Sequence, residues 1–581
     1  MKIESRIVSW WIPAFAVTAV SVALFGATAR LDPEPYHDGS QLPAAIGVAS
    51  GLHVHEDVFS AYGFMTAWLQ GFAVEVFGSQ LIVIRLFTAV VTSIVALLLF
   101  LFTKYVTKST ALALAASLVW VVTWPGISVE WGTPFLPWPS NLFLLWQISA
   151  IMLVACALLD KSRRSLLLIA AGSMTTLAVL TRINYGAALA AALLITALLF
   201  ARRAGWRPRD WGFLSVGVFI TLTIPFIILA AEGSLTAFID QSIVGALKGE
   251  AIVKPTEWFY IENGYLWGSL LLIIALSILW ISSSWNWIKP SFIVVLTVLT
   301  TLGLTIWAST AIPGSPLREL ILSRLTWSPA LDIQAMQPLY LIAVIAIFST
   351  VALVVVLVKN RMSKTEHYSR SQQVPRTRVL VTLLITTGAA SLIQLYPVAD
   401  PNHLWWAAPI PIILLVFMVS EVKPSERRNA LLAALLLPPL LIAPFTMWIH
   451  FSAPRIEVQG NVLTGMMVDQ KYANSYAQMD ILLEGIAPKS TEFRCKEGLF
   501  SVWNGEYLSS GPGYVDYAYE LDSAASSTES TTTILCLPWG NEATAESYAQ
   551  ENGLLISAIT EEISLSYFSD IQVFRLEKLT E

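Results

Sequence analysis

Residues 81–102 read LIVIRLFTAVVTSIVALLLFLF, with a single charge, Arg85, close to one end. As a helix rising 1.5 Å per residue, the stretch is long enough to cross about 30 Å of hydrocarbon. Similar apolar runs lie near 8–28, 109–127, 141–159, 165–181, 186–201, 211–231, 265–283, 291–311, 336–358, 379–396, 404–420 and 430–450, thirteen in all. Composition agrees. The 581 residues could hold roughly three or four soluble domains by length alone. Yet 55% of them are hydrophobic and 13% charged, with 22 tryptophans and a mean hydropathy of +0.65. That charged share is about half that of a soluble protein, so most of the chain belongs in lipid. A net charge of −5 with scattered basic residues argues against nucleic-acid binding, and the apolar excess excludes a disordered chain. The first run is too long for a signal h-region and lacks a small-residue cleavage site, so it reads as a retained helix.

Charge tests the number of crossings. With the N-terminus inside, residues 1–7 and the loops 103–108, 160–164, 202–210, 284–290, 359–378 and 421–429 carry 21 of the 35 Lys and Arg. The opposite set carries seven, and the tail after 450 another seven. Acids run the other way, six inside against fifteen outside and nineteen in the tail. This positive-inside pattern holds through thirteen crossings, and one missed helix would invert every later loop. The basic loop 359–378 reads as a topology determinant facing anionic lipid.

The expected architecture is an all-α polytopic membrane domain over 1–450, followed by a small α/β extracytoplasmic domain over 451–581. In the tail, 469–484 and 541–552 suit helices, while Phe493-Arg-Cys, Thr532 to Leu537 and Ile571 to Leu576 suit strands. Cys495 and Cys536 are the two cysteines of the outer compartment, where a disulfide is permitted; two buried thiols are the alternative.

The outer segment 29–80 carries the most chemistry. It opens Leu31-Asp-Pro-Glu-Pro-Tyr-His-Asp-Gly39 and continues through His53-Val-His-Glu-Asp57 to Tyr62-Gly63, Phe77-Gly78 and Arg85. Residues 40–50 and 61–76 suit short helices on the membrane surface. A carboxylate held between such helices has restricted access to water, a good setting for a general base. Asp38 and Asp57 also have plainer readings, as a turn acid and a helix N-cap. His53, His55 and Asp57 alternate, so an extended backbone would put them on one face, where with His37 they could hold a divalent metal ion. Polar packing on a carboxylate is the competing reading.

The pattern Asp38-Gly39, Asp57, Tyr62-Gly63, Phe77-Gly78 and Arg85 resembles the GT-C superfamily of polytopic glycosyltransferases, in particular its bacterial members that take sugars from polyprenyl-phosphate carriers. Leu180-Thr-Arg-Ile-Asn-Tyr-Gly186 is similar to that family as well, as is the layout of many helices, a catalytic first outer loop and an outer C-terminal domain. The family usually places an Asp-Glu or Asp-Asp pair in the first loop; His37-Asp38 stands here instead. By position the resemblance implies Asp38 as general base, with Asp57 and Glu34 as rivals. It implies an inverting single displacement on the extracytoplasmic face, from a polyprenyl-phosphate donor to a glycan, lipid or protein acceptor.

A phosphate leaving group needs a cation, and a bidentate guanidinium fits best. Arg182 is the first expectation for the donor phosphate, because Thr181-Arg-Ile-Asn184 interrupts two tightly connected helices; Arg324 and Arg85 follow. The plain alternative is snorkelling to headgroups. His37, Tyr62, Asn184, Asp400 and His403 are the expected substrate contacts. Asp400 equally suits a helix cap, and tryptophans such as Trp138 suit the interfacial belt. No cofactor is required, and a divalent ion at His53, His55 and Asp57 is the lesser expectation. A carrier or flippase for lipid-linked glycans, or a non-catalytic scaffold for glycan assembly, are the rival functions. A carrier would be expected to bury ionisable groups at mid-membrane and often to repeat internally, neither of which stands out here.

Overall fold

A computed structural model describes residues 2–35, 37–60, 62–124, 135–160, 163–202, 204–245, 376–395, 401–420, 451, 454–484, 491–495, 498–505, 532–538, 542–560, 563–565 and 568–578. Among these, the helices are α1 Lys2–Thr28, α2 Leu42–Ala49, α3 Phe64–Phe77, α4 Leu81–Thr107, α5 Thr110–Val122, α6 Pro139–Leu159, α7 Arg164–Thr181 and α8 Ile183–Phe200. They continue with α9 Pro208–Ala231, α10 Leu235–Ile239, α11 Arg376–Ser391, α12 Pro401–Ala407, α13 Pro409–Ser420, α14 Ala473–Leu483 and α15 Glu542–Glu551. Seven described segments are long and apolar enough to cross a membrane: Trp11–Thr28, Leu81–Thr107, Pro139–Leu159, Arg164–Thr181, Ile183–Phe200, Pro208–Ala231 and Arg376–Gln394.

Two expected crossings are shorter than a full span. The run near 109–127 forms the 13-residue α5, where Pro125 in the sequence disfavours helix at the residue before it. The run near 404–420 is divided at Ala408, ahead of Pro409, into α12 and α13. The expected runs near 265–283, 291–311, 336–358 and 430–450 lie outside the described residues, as do Arg324 and Asp400.

The bundle is built on α4 and α6. Helix α4 packs on α1, α5 and α6; α7 packs on α6, α8 and α9; and α11 closes against α8. Apolar helices in lipid gain little from burial against each other, so shape and a few polar bonds decide their partners. Gln147 bonds Ser391 at 2.8 Å and Thr196 meets Thr386 at 2.8 Å. Trp120 and Trp405 stack with centroids 4.4 Å apart, and each indole N–H donates to the other's backbone carbonyl. On α9 the side chains of Phe219, Ile220, Ile224 and Ile227 remain exposed, as suits a lipid-facing surface.

The tail carries strands β1 Arg455–Glu457 and β2 Met467–Asp469, paired antiparallel, and a second sheet. That sheet comprises β3 Thr491–Arg494, β4 Thr532–Pro538, β5 Leu554–Ile559, β6 Ile563–Leu565 and β7 Phe568–Lys578. Its order is β3-β4-β7-β5, with β6 also on β7; β3 and β4 run parallel and the other pairs antiparallel. Helix α15 connects β4 to β5 and packs on β5. Arg494 pairs with Leu535, which brings the next residues together, and Cys495 is disulfide-bonded to Cys536. The expected helices and strands of the tail thus form within a few residues of their expected places.

The division at residue 450 follows composition rather than packing. Leu42, Ile46, Leu81 and Ile84 of the first loop and α4 share one buried cluster with Val462, Leu463, Tyr476, Phe500 and Trp503. Backbone bonds reinforce the contact: Asp32 N–H donates to Met467 O at 2.8 Å, Met467 N–H to Arg30 O at 2.6 Å, and Leu81 N–H to Val462 O at 2.8 Å. Arg455 pairs with Asp32 at 3.2 Å, and the Asp32 carboxylate also accepts from Asp469 N–H. The first part of the tail is therefore the outer wall of the loop that carries the candidate site.

A candidate active site beside the first loop

Arg182 sits in the single extended residue that joins α7 to α8, at φ −144° and ψ 102°. Two glycines make the corner tight. A Cβ on Gly186 would lie 2.3 Å from Val179 Cα, and one on Gly63 would lie 1.8 Å from Leu180 O. The second approach places Tyr62 against the corner. The Arg182 guanidinium lies 4.6 Å from the Tyr62 ring centroid and 3.9 Å from that of Tyr185. It donates to Ser140 Oγ in the first turn of α6. Gly63→Ala should therefore push the loop off the corner. We expect a loss of roughly 1–3 kcal/mol, the scale of overpacking, read as a lowered Tm in detergent, together with reduced turnover.

The Tyr62 ring meets Trp138 edge to face at 5.3 Å, and His37 meets the same indole at 5.1 Å. Arg182 is 4% exposed and Trp138 8% exposed. Arg182 Nε and Trp138 Nε1 are both buried without a hydrogen-bond partner, and among the described residues Arg182 makes no ion pair. These donors stand at the end of the bundle that bears the first loop, lined with aromatic faces. Such an arrangement suits a sugar with a phosphate behind it.

His37 is held from the other side. Its Nδ1 lies 2.7 Å from Glu34 Oε2, which also accepts from the His37 backbone N–H. Glu34 is 2% exposed, whereas the His37 side chain is 28% exposed.

Asp38 is fully enclosed. Its Oδ1 accepts from Arg85 Nε at 3.0 Å and its Oδ2 from Arg85 Nη2 and, at 2.7 Å, from Glu34 N–H. Arg85, also fully buried, donates further to Leu31 O at 2.6 Å and Asp32 O at 3.3 Å. Burial pushes the Asp38 carboxyl above its ordinary range, while the Arg85 guanidinium and the Glu34 amide pull it back. The same enclosure pushes the Tyr476 phenol well above its usual value; its hydroxyl reaches Pro33 O at 3.5 Å.

The remaining expected residues are dispersed. His53 and Asp57 adjoin at 3.6 Å on the exposed side of the loop, and Asp57 Oδ2 accepts from His53 N–H. His55 turns away from them. It has a positive φ of 71°, so the segment is not extended and the alternation fails to align the three side chains. Instead, His55 Nδ1 meets Gln241 Oε1 at 2.9 Å, and Gln241 Nε2 donates to His55 O at 2.7 Å. Burial lowers the pKa of this imidazole. No group of three His, Cys, Asp or Glu suited to a metal ion occurs among the described residues. Asn184 is exposed and accepts from Tyr185 N–H. His403 lies edge to face on Trp406 at 5.2 Å, and Trp406 Nε1 donates to Asn141 Oδ1 near Trp138.

Of the expected residues, His37, Tyr62 and Arg182 come together. Trp138, Tyr185 and Ser140 complete the cluster and were not among the expected contacts. Trp138 read as a belt anchor because one tryptophan at a helix start looks like another. Its distinguishing signal is Trp138-Pro139: proline suits the first helical position, which makes Trp138 the N-cap of α6.

Residues 62–229 match the family model described as dolichyl-phosphate-mannose-protein mannosyltransferase. The match spans α3 through α9 and includes Tyr62, Trp138 and Arg182. Among solved structures the chain is similar to ArnT from Cupriavidus metallidurans bound to undecaprenyl phosphate, at 13% identity, 97% coverage of this chain, 98% of the other and a TM-score of 0.44. It is also similar to the archaeal oligosaccharyltransferase AglB from Archaeoglobus fulgidus in complex with an inhibitory peptide and a dolichol-phosphate, at 11% identity, 90% and 69% coverage and a TM-score of 0.45. No curated protein matches.

Proposed function

We propose that this chain is a multi-pass membrane glycosyltransferase of the GT-C type, which moves a sugar from a polyprenyl-phosphate carrier to a hydroxyl of a glycan, lipid or protein acceptor. The reaction is placed on the extracytoplasmic face, where the charge pattern puts the first loop and the tail. It proceeds as a single displacement that inverts the anomeric centre. The acceptor oxygen bonds to the anomeric carbon as the bond to the phosphate oxygen breaks, and the phosphate leaves on its lipid.

The observation that carries this reading is Arg182. Burying a guanidinium without a counter-ion costs several kcal/mol; among the described residues Arg182 has none, and at 4% exposure the side chain is not snorkelling into headgroups. The faces of Tyr62 and Tyr185 offset roughly 0.5–2 kcal/mol of that cost. The remainder is well placed to be recovered when an anion arrives, and the departing phosphate is the group on which negative charge grows. A base must take the acceptor proton, and the first loop carries the expected candidates Asp38, Asp57 and Glu34. Asp57 adjoins His53 on the exposed side of the loop and is bonded within its own turn. Asp38, with both oxygens on Arg85, is better suited to holding the loop than to meeting an acceptor.

The test uses the full chain in proteoliposomes, with mannosyl-phosphodolichol labelled in the sugar and a solubilised envelope extract as acceptor. Release of dolichyl phosphate, with label passing to the acceptor in equal amount, is the expected result. Label that crosses the bilayer still joined to dolichol, with no free dolichyl phosphate, would instead identify a carrier and end the transferase reading.

A further inference from the structure

We infer that His37 is the group that takes the acceptor proton, with Glu34 as its positioning residue and Asp38 as the anchor of the loop. The inference rests on the transferase reading above and assigns within it the role that sequence position gave to Asp38.

Accessibility separates the three. Asp38 has no exposed surface, and its oxygens are occupied by Arg85 and by the Glu34 amide. Glu34 is 2% exposed and its Oε2 already receives two N–H groups of His37. The imidazole reaches the cluster edge-on to Trp138, which also meets Tyr62, the ring under Arg182. Base and phosphate cation are therefore linked through two adjoining aromatic rings, Trp138 and Tyr62.

The hydrogen bonding also fixes the tautomer. Glu34 Oε2 accepts from the His37 backbone N–H, so it acts toward Nδ1 as an acceptor as well, and Nδ1 carries the ring proton. The lone pair is then on Nε2, the nitrogen directed away from Glu34. In the displacement the acceptor O–H passes its proton to Nε2 while its oxygen forms the new glycosidic bond. The bond between the anomeric carbon and the phosphate oxygen breaks, and its electron pair leaves with the lipid phosphate. The imidazolium is stabilised by the Glu34 carboxylate and later gives its proton to water, so no cofactor or redox partner enters. The arrangement is that of a base oriented by a buried carboxylate.

Compare wild type, His37→Gln, His37→Ala, Glu34→Gln, Glu34→Asp and Arg182→Met in detergent. Measure undecaprenyl phosphate binding, Tm, and turnover of mannosyl-phosphodolichol with the envelope extract. A general base contributes on the order of 10²–10⁴-fold. His37→Gln should lose at least about 100-fold in kcat while Tm, lipid phosphate binding and donor KM stay near wild type. Added imidazole should restore part of the turnover of His37→Ala, which a structural role would not allow. Glu34→Gln should lower kcat about tenfold or more at similar KM, with Glu34→Asp recovering part of it. Wild-type kcat in His37→Gln, or Tm loss in step with activity and no rescue by imidazole, would overturn the assignment and leave the transferase reading intact. If wild type neither binds undecaprenyl phosphate nor releases dolichyl phosphate, both fall together.

Discussion

Arg182→Met should abolish turnover and leave the protein at least as stable as before. The two halves of this expectation have different causes. In the transition state the guanidinium holds the oxygens of the departing phosphate, and a charged hydrogen bond is worth about 1.5–3 kcal/mol. Losing two of them, in the fork geometry that Nε and a terminal nitrogen provide, amounts to roughly 100-fold to 10,000-fold in kcat/KM. Among the described residues of the resting protein the same group is a buried cation with one hydroxyl partner, two aromatic faces and no carboxylate. Methionine fills similar volume, and replacing buried charge by packed apolar atoms is often neutral or stabilising. Arg182→Lys keeps the charge without the fork and should fall between the two in turnover. The readouts are kcat/KM for donor turnover and Tm in detergent. Turnover within threefold of wild type would remove Arg182 from the phosphate site. A fall of many degrees in Tm would instead mark it as part of the fold.

The contrast shows what the sequence could and could not supply. Segments such as 81–102, 141–159 and 186–201 announce themselves, because a membrane leaves a helix little choice but to be apolar along its length. The corner at Arg182 was equally readable, since an arginine between two apolar runs has few harmless places to go. Strands such as Thr532–Pro538 showed in the β-branched and apolar residues of a chain that had returned to water. Pairing was not readable. Nothing local tells which of the loop acids will meet Arg85, 47 residues beyond Asp38. Nor does spacing reveal that Glu34 folds back on His37 through a turn. The His53, His55 and Asp57 triplet failed for a related reason: one residue at positive φ reverses the face on which a side chain lies. The seam between tail and loop was hidden as well. Composition marks where lipid ends, and says nothing of which aqueous segments share a core.

The largest stability effect is expected at the opposite kind of site, the paired ions Asp38 and Arg85. Asp38→Asn leaves Arg85 fully buried with a neutral partner, and breaking such a pair typically costs about 3–5 kcal/mol. Arg85→Met should cost as much or more, because Leu31 O and Asp32 O also lose their donor. Since Leu31 and Asp32 carry the contacts to Met467 and Arg455, either change should also loosen the tail, seen as faster proteolysis near residue 454. Activity in these single variants cannot assign chemistry to Asp38, because a loosened loop loses turnover whatever the carboxylate did. The double variant Asp38→Leu with Arg85→Met can. Apolar replacement of both partners removes the orphaned charge, so much of the Tm should return, with a coupling of about 2–4 kcal/mol between the sites. If turnover returns with it to within about tenfold, neither residue takes part in the displacement, and a proton acceptor elsewhere in the loop is required. If stability returns while turnover stays at least a hundredfold down, the missing carboxylate was doing chemistry, and the assignment of the base to His37 fails.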